Sequence, residues 1–525
     1  MQKLSAWLNQ NLLTLFAGFL LLFIPLYPKW PLFDILPGYN VRIRLEDILI
    51  LGINLYFFIR VLRKKINLKQ SFLFKPILIY LLIGFLSVLS AIFITKTINP
   101  EYLQIAKVYL HWLRRIEYFS LFFIFFFSLK SKKQIQFFLI LIGLAIFGVT
   151  IYGFGQKYLY WPAYSTMNRE FSKGIALYLT EHARVLSTFG GHFDLAAYIM
   201  MTLIPAILLI FLHPKLIWRV IVSILVLMEY WLLILTASRT SWIAFMVGIS
   251  LAFLLLLKKH SRFWVFSRWF VVVALSTLIM VSFGDLSERF SQIFKLQGIK
   301  EIVLRPFRAP PKNGIALNEN LTPEQQLSLV ATNTDIPPTP TKSSVVTKPS
   351  DVYDDTYDKI TAYLATGSGE KFVANYSDNA LKYGLSAGIR LDTLWPNALK
   401  AFKQNPLLGT GYSTLVKAKV WEFTVAESTD NDFLRMLGET GLLGFLSFMA
   451  ILLIIVRQLW RAFLQDKQPL YYGLFASGIA ITFGLLANAV YIDVFESSKV
   501  AYSYWSIIGL LLALAALRKH EKKAD

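Results

Sequence analysis

The chain has 525 residues, of which 56% are hydrophobic, and its mean hydropathy is +0.53. Its formal net charge is +21 and it contains no cysteine. This composition predicts an integral membrane protein, and the lack of cysteine excludes disulfides, thiolate nucleophiles and metal sites built on cysteine. The six histidines are scattered without a metal-binding spacing, so a histidine zinc site is not expected.

Apolar runs long enough to cross a hydrocarbon core, which takes about 20 residues, recur from one end of the chain to the other. Their number and spacing predict an all-α polytopic membrane protein with about twelve transmembrane helices. The predicted spans are 9–27, 46–62, 76–95, 112–129, 135–154, 194–212, 218–236, 242–257, 268–284, 433–456, 470–491 and 500–517.

Basic residues are concentrated in every second connection between these spans, as in the run from Arg60 to Lys75 and in Lys130, Lys132 and Lys133. By the positive-inside rule these connections face the cytoplasm, which predicts a multi-pass protein of the cytoplasmic (inner) membrane with both termini inside. The long connection 285–430 contains 16 basic and 16 acidic residues and is expected outside. The basic excess therefore orients the protein against membrane lipids, and nucleic acid is not an expected partner.

The domain organisation follows from these spans. Residues 1–284 are predicted to form the first nine transmembrane helices, 285–432 an extracytoplasmic loop, and 433–525 the last three helices. Within the loop, 308–350 is rich in Pro, Thr and Ser and is predicted to be flexible. Residues 351–365 and 388–415 return to helical spacing and predict short helices at the outer mouth of the bundle, the second with an apolar stripe of Leu391, Leu394, Trp395, Ala398, Leu399 and Phe402.

Arginines at the predicted outer boundary run against the positive-inside rule. They are Arg42, Arg44, Arg114, Arg115, Arg184, Arg239 and Arg390. Each one alone could reach the lipid headgroups or pair with a nearby carboxylate. As a group they favour a shared anion, because arginine grips phosphate with two parallel hydrogen bonds and stays charged when partly dehydrated.

Four segments occur in an order that resembles the O-antigen ligase and polymerase superfamily of glycan-transferring membrane enzymes. They are "ARVLSTFGGHFDLAAYIMMTLIPA" (183–206), "LTASRTSWIAF" (235–245), "RLDTLWPNALKAFKQNPLLGTGY" (390–412) and "DNDFLRMLGETGLLG" (430–444). The last is similar to a ligase pattern of His, then Asn, Ser or Gln, then nine residues and Gly-x-x-Gly. Here Asn431 precedes nine residues and the Gly441 to Gly444 pair, while Asp430 stands where the pattern has His.

This resemblance implies transfer of a glycan from a polyprenyl (undecaprenyl-type) pyrophosphate carrier to an acceptor hydroxyl, with the acceptor a glycan, a lipid or a protein. Cations must then meet the charge of the departing pyrophosphate, and a base must take the hydroxyl proton. Asp430 is the candidate base, with Arg184, Arg239 and Arg390 as the candidate pyrophosphate clamp. The candidate substrate-binding residues are His192, Asp432, Arg435, Arg114 and Arg115.

Several alternatives stay open from the residues alone. Asp430 and Asp432 form an acid-x-acid pair that could hold a divalent cation, but arginines make a metal unnecessary, so no cofactor is predicted. Asp432, Arg435 and Glu439 share one helical face, where Arg435 can pair with either acid. The alternative functions are a twelve-span transporter of a phosphate-bearing or glycan substrate and a noncatalytic anchor that presents its outer loop.

The predicted orientation can be tested by proteolysis. Protease added to cells stripped of any outer envelope should cut within 308–350, because exposed flexible segments are the preferred cleavage sites. Cleavage of the 258–268 connection together with protection of 308–350 would reverse the topology. The cleavage products are sized by blotting against a tag on each terminus.

Overall fold

The structure is a computed structural model that describes residues 2–35, 42–167, 171–180, 183–282, 377–415 and 428–524. The chain forms two compact units, Met1–Ser287 with Arg390–Asp525, and Glu288–Ile389. The segment predicted to be flexible, 308–350, and the helix predicted over 351–365 lie outside the described residues.

Fifteen α-helices follow one another along the described residues. They are α1 (Gln2–Leu26), α2 (Leu45–Leu62), α3 (Phe74–Phe93), α4 (Tyr102–Ser128), α5 (Gln134–Tyr158), α6 (His192–Leu212), α7 (Leu216–Leu235), α8 (Arg239–Leu256), α9 (Arg262–Ser282), α10 (Asp378–Tyr383), α11 (Leu385–Ile389), α12 (Trp395–Gln404), α13 (Asp432–Gln465), α14 (Pro469–Ala489) and α15 (Ser498–Ala524). A short antiparallel hairpin, β1 (Pro31–Asp34) and β2 (Arg42–Arg44), joins α1 to α2. The prediction of an all-α membrane fold is confirmed.

Each of the twelve predicted spans coincides with one long helix, α1 to α9 and α13 to α15. Among the described residues, 9 of these helices are long and apolar enough to cross a membrane. The other three are α1, whose apolar stretch is the shorter segment Gln10–Leu26, and α2 and α4, which carry several charged side chains. The charged helices α2 and α4 bring those side chains to the candidate site.

The centre of the first unit is formed by α6, α14 and α15. Trp505, Tyr502 and Phe475 from these helices are among the largest fully buried side chains. α15 packs along α4, α14 packs between α8 and α13, and α6 contacts both α7 and α14. By contrast, α9 is mostly exposed, as expected for a helix that faces lipid.

The segment before α12 corrects the predicted apolar stripe. A π-helical turn over Arg390–Leu394 precedes α12, and Leu391 and Leu399 are exposed. The buried side is made by Leu394, Ala398 and Ala401 instead. A π-helical turn holds more residues than an α-helical one, so it rotates the following residues and invalidates a stripe counted at α-helical spacing. It also turns the Arg390 side chain inward, where it is buried.

Helix α13 is broken at Gly441, whose φ of 66° and ψ of −168° are not helical. The break frees backbone groups on both sides of Gly441, and the segment 405–413 binds them. Thr410 N donates to Gly438 O at 2.9 Å, Gly411 N donates to Glu439 O at 2.9 Å, and Leu442 N donates to Pro406 O at 2.8 Å. Segment 405–413 is thereby held against α13 by backbone hydrogen bonds.

Glycine is required at this break for two reasons. Its φ is positive, and a Cβ atom on Gly441 would lie 2.4 Å from the carbonyl carbon and oxygen of Leu407. Gly409 has the same two constraints, because its φ is 68° and a Cβ there would lie 2.4 Å from the carbonyl carbon of Glu439. The two glycines let two backbones approach within hydrogen-bonding distance.

We expect Gly441→Ala to destabilise the protein by about 2–4 kcal/mol, since it combines backbone strain with overpacking. Gly52→Ala is the matched control, because Gly52 lies inside α2 with nothing within 4 Å of an added Cβ. Thermal unfolding of the purified protein in detergent measures both. An apparent Tm for Gly441→Ala equal to that of the control would contradict this account of the break.

Candidate functional site

Most of the predicted site residues lie at one end of the helical bundle, called here the site end. It is the end where α2, α4, α6, α8, α13 and α15 begin. Arg114 and Arg115 lie about halfway along α4, whereas His192, Arg239 and Asp432 are the first residues of α6, α8 and α13. All the predicted residues except Arg114 and Arg115 therefore lie at or near the helix ends themselves.

A buried charge cluster surrounds Arg435 at the site end. The cluster consists of Arg115, Arg435, Glu439, Asp493 and Glu496. Arg435 contacts Glu439 at 3.2 Å, Asp493 at 2.9 Å and Glu496 at 3.8 Å. Arg115 forms a second ion pair with Glu496 and lies 4.0 Å from Glu439. Two cations thus neutralise most of the charge of three carboxylates, which is the condition for burying such groups.

Tyr412 covers this cluster from the segment between α12 and α13. The Arg115 guanidinium lies 5.0 Å from the centre of the Tyr412 ring, within the range of a cation–π contact. Burial raises the pKa of the Tyr412 phenol well above its usual range, so the ring stays neutral. The main chain adds a further contact, because Ser413 N donates to Glu439 Oε1 at 2.9 Å. The cluster is therefore tied to the segment held at the α13 break.

Asp493 also fixes the start of α13. Its Oδ1 accepts from Asn431 N at 2.8 Å, and its Oδ2 accepts from Ser428 Oγ at 2.7 Å. Asn431 is the residue that caps α13, since its side-chain oxygen accepts from Leu434 N at 2.9 Å. Asp430 precedes this cap in a left-handed conformation with φ of 50°. Asp430 is therefore not the capping residue.

Asp430 forms an ion pair with Arg390. Arg390 Nη2 lies 2.9 Å from Asp430 Oδ2, and the Asp430 side chain is 33% exposed whereas that of Arg390 is 7% exposed. The Arg390 guanidinium stacks on Tyr491, 3.9 Å from the ring centre. Asp430 is thus reachable from solvent while its partner is held in place. The structure brings together two of the four predicted catalytic residues.

Ser428 lies between two carboxylates. Its hydroxyl is 2.8 Å from Asp430 Oδ1 and 2.7 Å from Asp493 Oδ2, and it accepts from Asp430 N. A hydroxyl has one proton, so it donates to one carboxylate at a time. The second contact is a hydrogen bond only when one of the carboxyl groups carries a proton. Asp430 is thereby linked through Ser428 to Asp493 and the buried charge cluster.

The other predicted residues have separate contacts. Arg184 Nη1 lies 3.0 Å from His192 Nε2. Because arginine only donates, the His192 Nε2 atom accepts and carries no proton in this arrangement. Arg239 is half-buried next to Ser238, which caps α8. The convergence of Arg184, Arg239 and Arg390 on one anion stays a prediction.

Helical spacing left Arg435 free to pair with either Asp432 or Glu439, and the structure selects one of the two. Arg435 pairs with Glu439 on its own helix, and the buried Asp432 carboxylate instead accepts from Phe495 N at 3.1 Å. Asp430 and Asp432 therefore have different partners. Within the described ranges, no group of three or more His, Asp or Glu side chains is placed to hold a metal ion.

A cavity of about 860 Å³ opens between α2, α3 and α4. Its polar end is lined by five arginines, three acids and a histidine, namely Arg42, Arg44, Arg114, Arg115, Arg435, Asp47, Glu117, Glu496 and His111. Its apolar length is lined by Leu51, Phe57, Phe58, Ile77, Leu81 and Phe123. The lining runs along α4 from Leu110 to Phe123, which spans about 20 Å at the helical rise. The cavity thus joins a cluster of arginines to an apolar channel within the bundle.

The polar end of the cavity contains buried donors. The Nε atoms of Arg44 and Arg115 are buried and have no hydrogen-bond partner among the described residues. Arg114 is better satisfied, since its Nη1 donates to Asp47 at 2.6 Å, to Glu117 at 2.7 Å and to Tyr502. Buried donors without partners cost free energy, which a bound anion would recover.

Comparison with known families finds a match in the middle of the chain. The family model described as O-antigen ligase matches residues 221–449. This segment, which is less than half of the chain, is similar to O-antigen ligases. The matched segment contains Arg239, Arg390, Asp430 and Arg435, whereas Arg115 and Asp493 lie outside it. No curated protein matches the chain.

Sequence reasoning missed Asp493 and Glu496 as site residues. Both lie in the turn between α14 and α15, "YIDVFESS" (491–498), where two acids stand between apolar helices. Two acidic residues in a short turn between apolar helices were the signal in the sequence that could have identified them as site residues. The partners of these acids, Arg115 and Arg435, are far away in the sequence, so spacing could not pair them.

We expect Asp493→Asn to destabilise the protein by about 1–3 kcal/mol, because Arg435 keeps Glu439 and Glu496 but loses one charged acceptor. The amide keeps the size of the carboxylate but loses the charge that faces Arg435. Glu101→Gln, an exposed acid before α4, is the control. Thermal unfolding in detergent measures both, and equal apparent Tm values would show that Asp493 contributes little to the cluster.

Proposed function

We propose that this protein transfers a glycan from a polyprenyl pyrophosphate carrier to an acceptor hydroxyl at the outer face of the cytoplasmic membrane, as an O-antigen ligase or a polysaccharide polymerase. The match of residues 221–449 to the O-antigen ligase family model supports glycan transfer in general. It favours this enzyme over the twelve-span transporter. The site end is the outer end in this proposal, as the distribution of basic residues predicts.

The observation that carries the proposal is the cavity between α2, α3 and α4. A polyprenyl pyrophosphate has a long apolar chain and a doubly phosphorylated head, and the cavity offers an apolar channel that ends at several arginines. The buried Nε donors of Arg44 and Arg115 supply hydrogen bonds for phosphate oxygens. Arg44, Arg114 and Arg115 thus join Arg184, Arg239 and Arg390 as candidates for binding the pyrophosphate.

The reaction breaks the bond between the anomeric carbon and the carrier phosphate and forms a bond from that carbon to the acceptor oxygen. The pyrophosphate leaves with additional negative charge, which arginines at the mouth of the cavity stabilise. The acceptor hydroxyl gives its proton to a base, for which we propose Asp430. Its partial exposure admits an acceptor, and Arg390 fixes its orientation.

Asp430 is linked to the mouth of the cavity through neighbouring side chains. Ser428 joins Asp430 to Asp493, Asp493 pairs with Arg435, and Glu496 joins Arg435 to Arg115. Arg115, Arg435 and Glu496 line the cavity itself. This chain of contacts supports a single site in which the proposed base and the proposed pyrophosphate arginines are positioned together.

We expect Asp430→Asn to lower turnover by about 100-fold or more, because it keeps the shape of the side chain and removes the base. Asp430→Ser should be equally inactive, and Asp430→His should restore part of the activity. Asp392→Asn, an exposed carboxylate in the same outer segment, is the control and should keep parental activity. Purified protein is incubated with a defined polyprenyl-pyrophosphate oligosaccharide, and the products are sized by mass.

A ladder of products indicates a polymerase, and a single addition indicates a ligase. Parental turnover in both Asp430→Asn and Asp430→Ser would remove Asp430 as the base and make His192 or Asp432 the next candidate. No product from the parent protein with any acceptor would contradict glycan transfer itself.

A further inference from the structure

A second pocket lies at the opposite end of the bundle from the candidate site. It has a volume of about 230 Å³ and is lined by Leu13, Arg60, Lys64, Lys65, Ile66, Asn67, Gln70, Phe127 and Lys130. Four of these residues are basic, and none of the described residues that line the pocket is acidic. Three helices supply the lining, since Leu13 belongs to α1, Arg60 to α2 and Phe127 to α4. The basic side chains therefore converge on one concave site.

The surrounding sequence offers no local counterion. Residues 56–75 and 126–140 contain nine lysines and arginines and no aspartate or glutamate. Burial and the neighbouring Arg60 guanidinium lower the pKa of Lys130, in that order of effect. Like charges that converge in this way repel one another, and an anion in the pocket would relieve the repulsion.

The backbone at Lys64 adds an independent observation. Lys64 follows the end of α2 with φ of 57°, a left-handed conformation that favours glycine. Lys64 N donates to Val61 O at 2.9 Å and Lys65 N donates to Arg60 O at 3.0 Å, the hydrogen bonds of a helix end that usually has glycine at this position. A lysine here accepts backbone strain and places an ammonium group at the pocket.

Ordinary features explain part of this pattern. Basic residues are common in cytoplasmic connections, and cations near the carboxyl ends of α2 and α4 interact favourably with the helix dipoles. These effects act on each side chain separately. They do not explain why residues from two connections share a pocket, nor why a strained position carries lysine.

We propose that this pocket binds a phosphate group, with Arg60, Lys64, Lys65 and Lys130 as its ligands. The group belongs either to the head of an anionic phospholipid or to a soluble phosphate compound. The side chains of Leu13, Ile66 and Phe127 form an apolar floor against which lipid chains can pack. Because α2 also forms a wall of the large cavity, a phosphate bound here steadies the helix that encloses the apolar channel.

Native mass spectrometry of the full-length protein tests the proposal. Phosphatidylglycerol and phosphatidylcholine with identical acyl chains are titrated onto the protein, and glycerol 3-phosphate is the soluble competitor. We expect phosphatidylglycerol to bind more tightly than phosphatidylcholine, with an affinity that falls as salt rises. Displacement by glycerol 3-phosphate identifies a soluble phosphate as the ligand class, and persistence of the lipid identifies the headgroup.

Two variants and a matched control separate the pocket from general surface charge. The triple variant K64Q/K65Q/K130Q should bind phosphatidylglycerol more than tenfold more weakly, because each cation near an anionic headgroup contributes about fivefold. The triple variant R63Q/K69Q/K133Q removes the same charge from residues outside the pocket lining and should lose much less affinity. An equal loss in the two triple variants would overturn the proposal.

The variant Lys64→Gly separates binding from folding. Glycine relieves the left-handed strain, so the apparent Tm should be unchanged or higher while phosphatidylglycerol binding weakens by about fivefold. Unchanged lipid binding in both Lys64→Gly and the K64Q/K65Q/K130Q variant would show that the pocket binds no phosphate. This outcome does not depend on the glycan-transfer activity.

Discussion

The structure of the site end depends on the buried positive charge of Arg435. Its carboxylate partners come from two places, Glu439 on the same helix and Asp493 and Glu496 on the turn between α14 and α15. A charge buried in a membrane protein is tolerated only when its partners are fixed around it. The turn is consequently locked to the start of α13. These contacts position Asp430, which precedes the α13 cap. They also position Arg390, which stacks on Tyr491 of the same turn.

The break in α13 at Gly441 adds a second set of contacts that stabilise the start of this helix. A continuous helix would bond the carbonyls of Gly438 and Glu439 within itself, whereas the broken helix offers them to Thr410 and Gly411. Segment 405–413 thus reaches the buried charge cluster and places Tyr412 over Arg115. Backbone hydrogen bonds between the two segments require close approach, which explains why each segment has a glycine there, Gly409 and Gly441. A rigid polar site at the end of an apolar channel is the arrangement that glycan transfer from a lipid carrier requires.

The sequence predicted the helices well because apolar length and flanking charge depend on the membrane more than on neighbouring residues. Each of the twelve long helices in the described part of the chain was predicted, including the charged α2 and α4. The stripe on α12 was wrong because a π-helical turn changes the phase, which hydrophobic spacing does not reveal. Helical spacing allowed Arg435 to pair with either Asp432 or Glu439, and Glu439 is its partner. Its pairing with Asp493 and Glu496 and the contact of Arg390 with Asp430 did not, because these partners meet only when distant segments pack.

We propose that a polyprenyl pyrophosphate occupies the cavity between α2, α3 and α4, with its head beside the proposed base. A structure of the protein with a non-transferable analogue of the glycan carrier tests it most directly. We expect the phosphates to contact Arg115 and at least one of Arg44 and Arg114. We expect the prenyl chain to follow Phe57, Ile77 and Leu81, and the anomeric carbon to face Asp430. Phosphates bound on another face of the bundle, with this cavity empty, would contradict it.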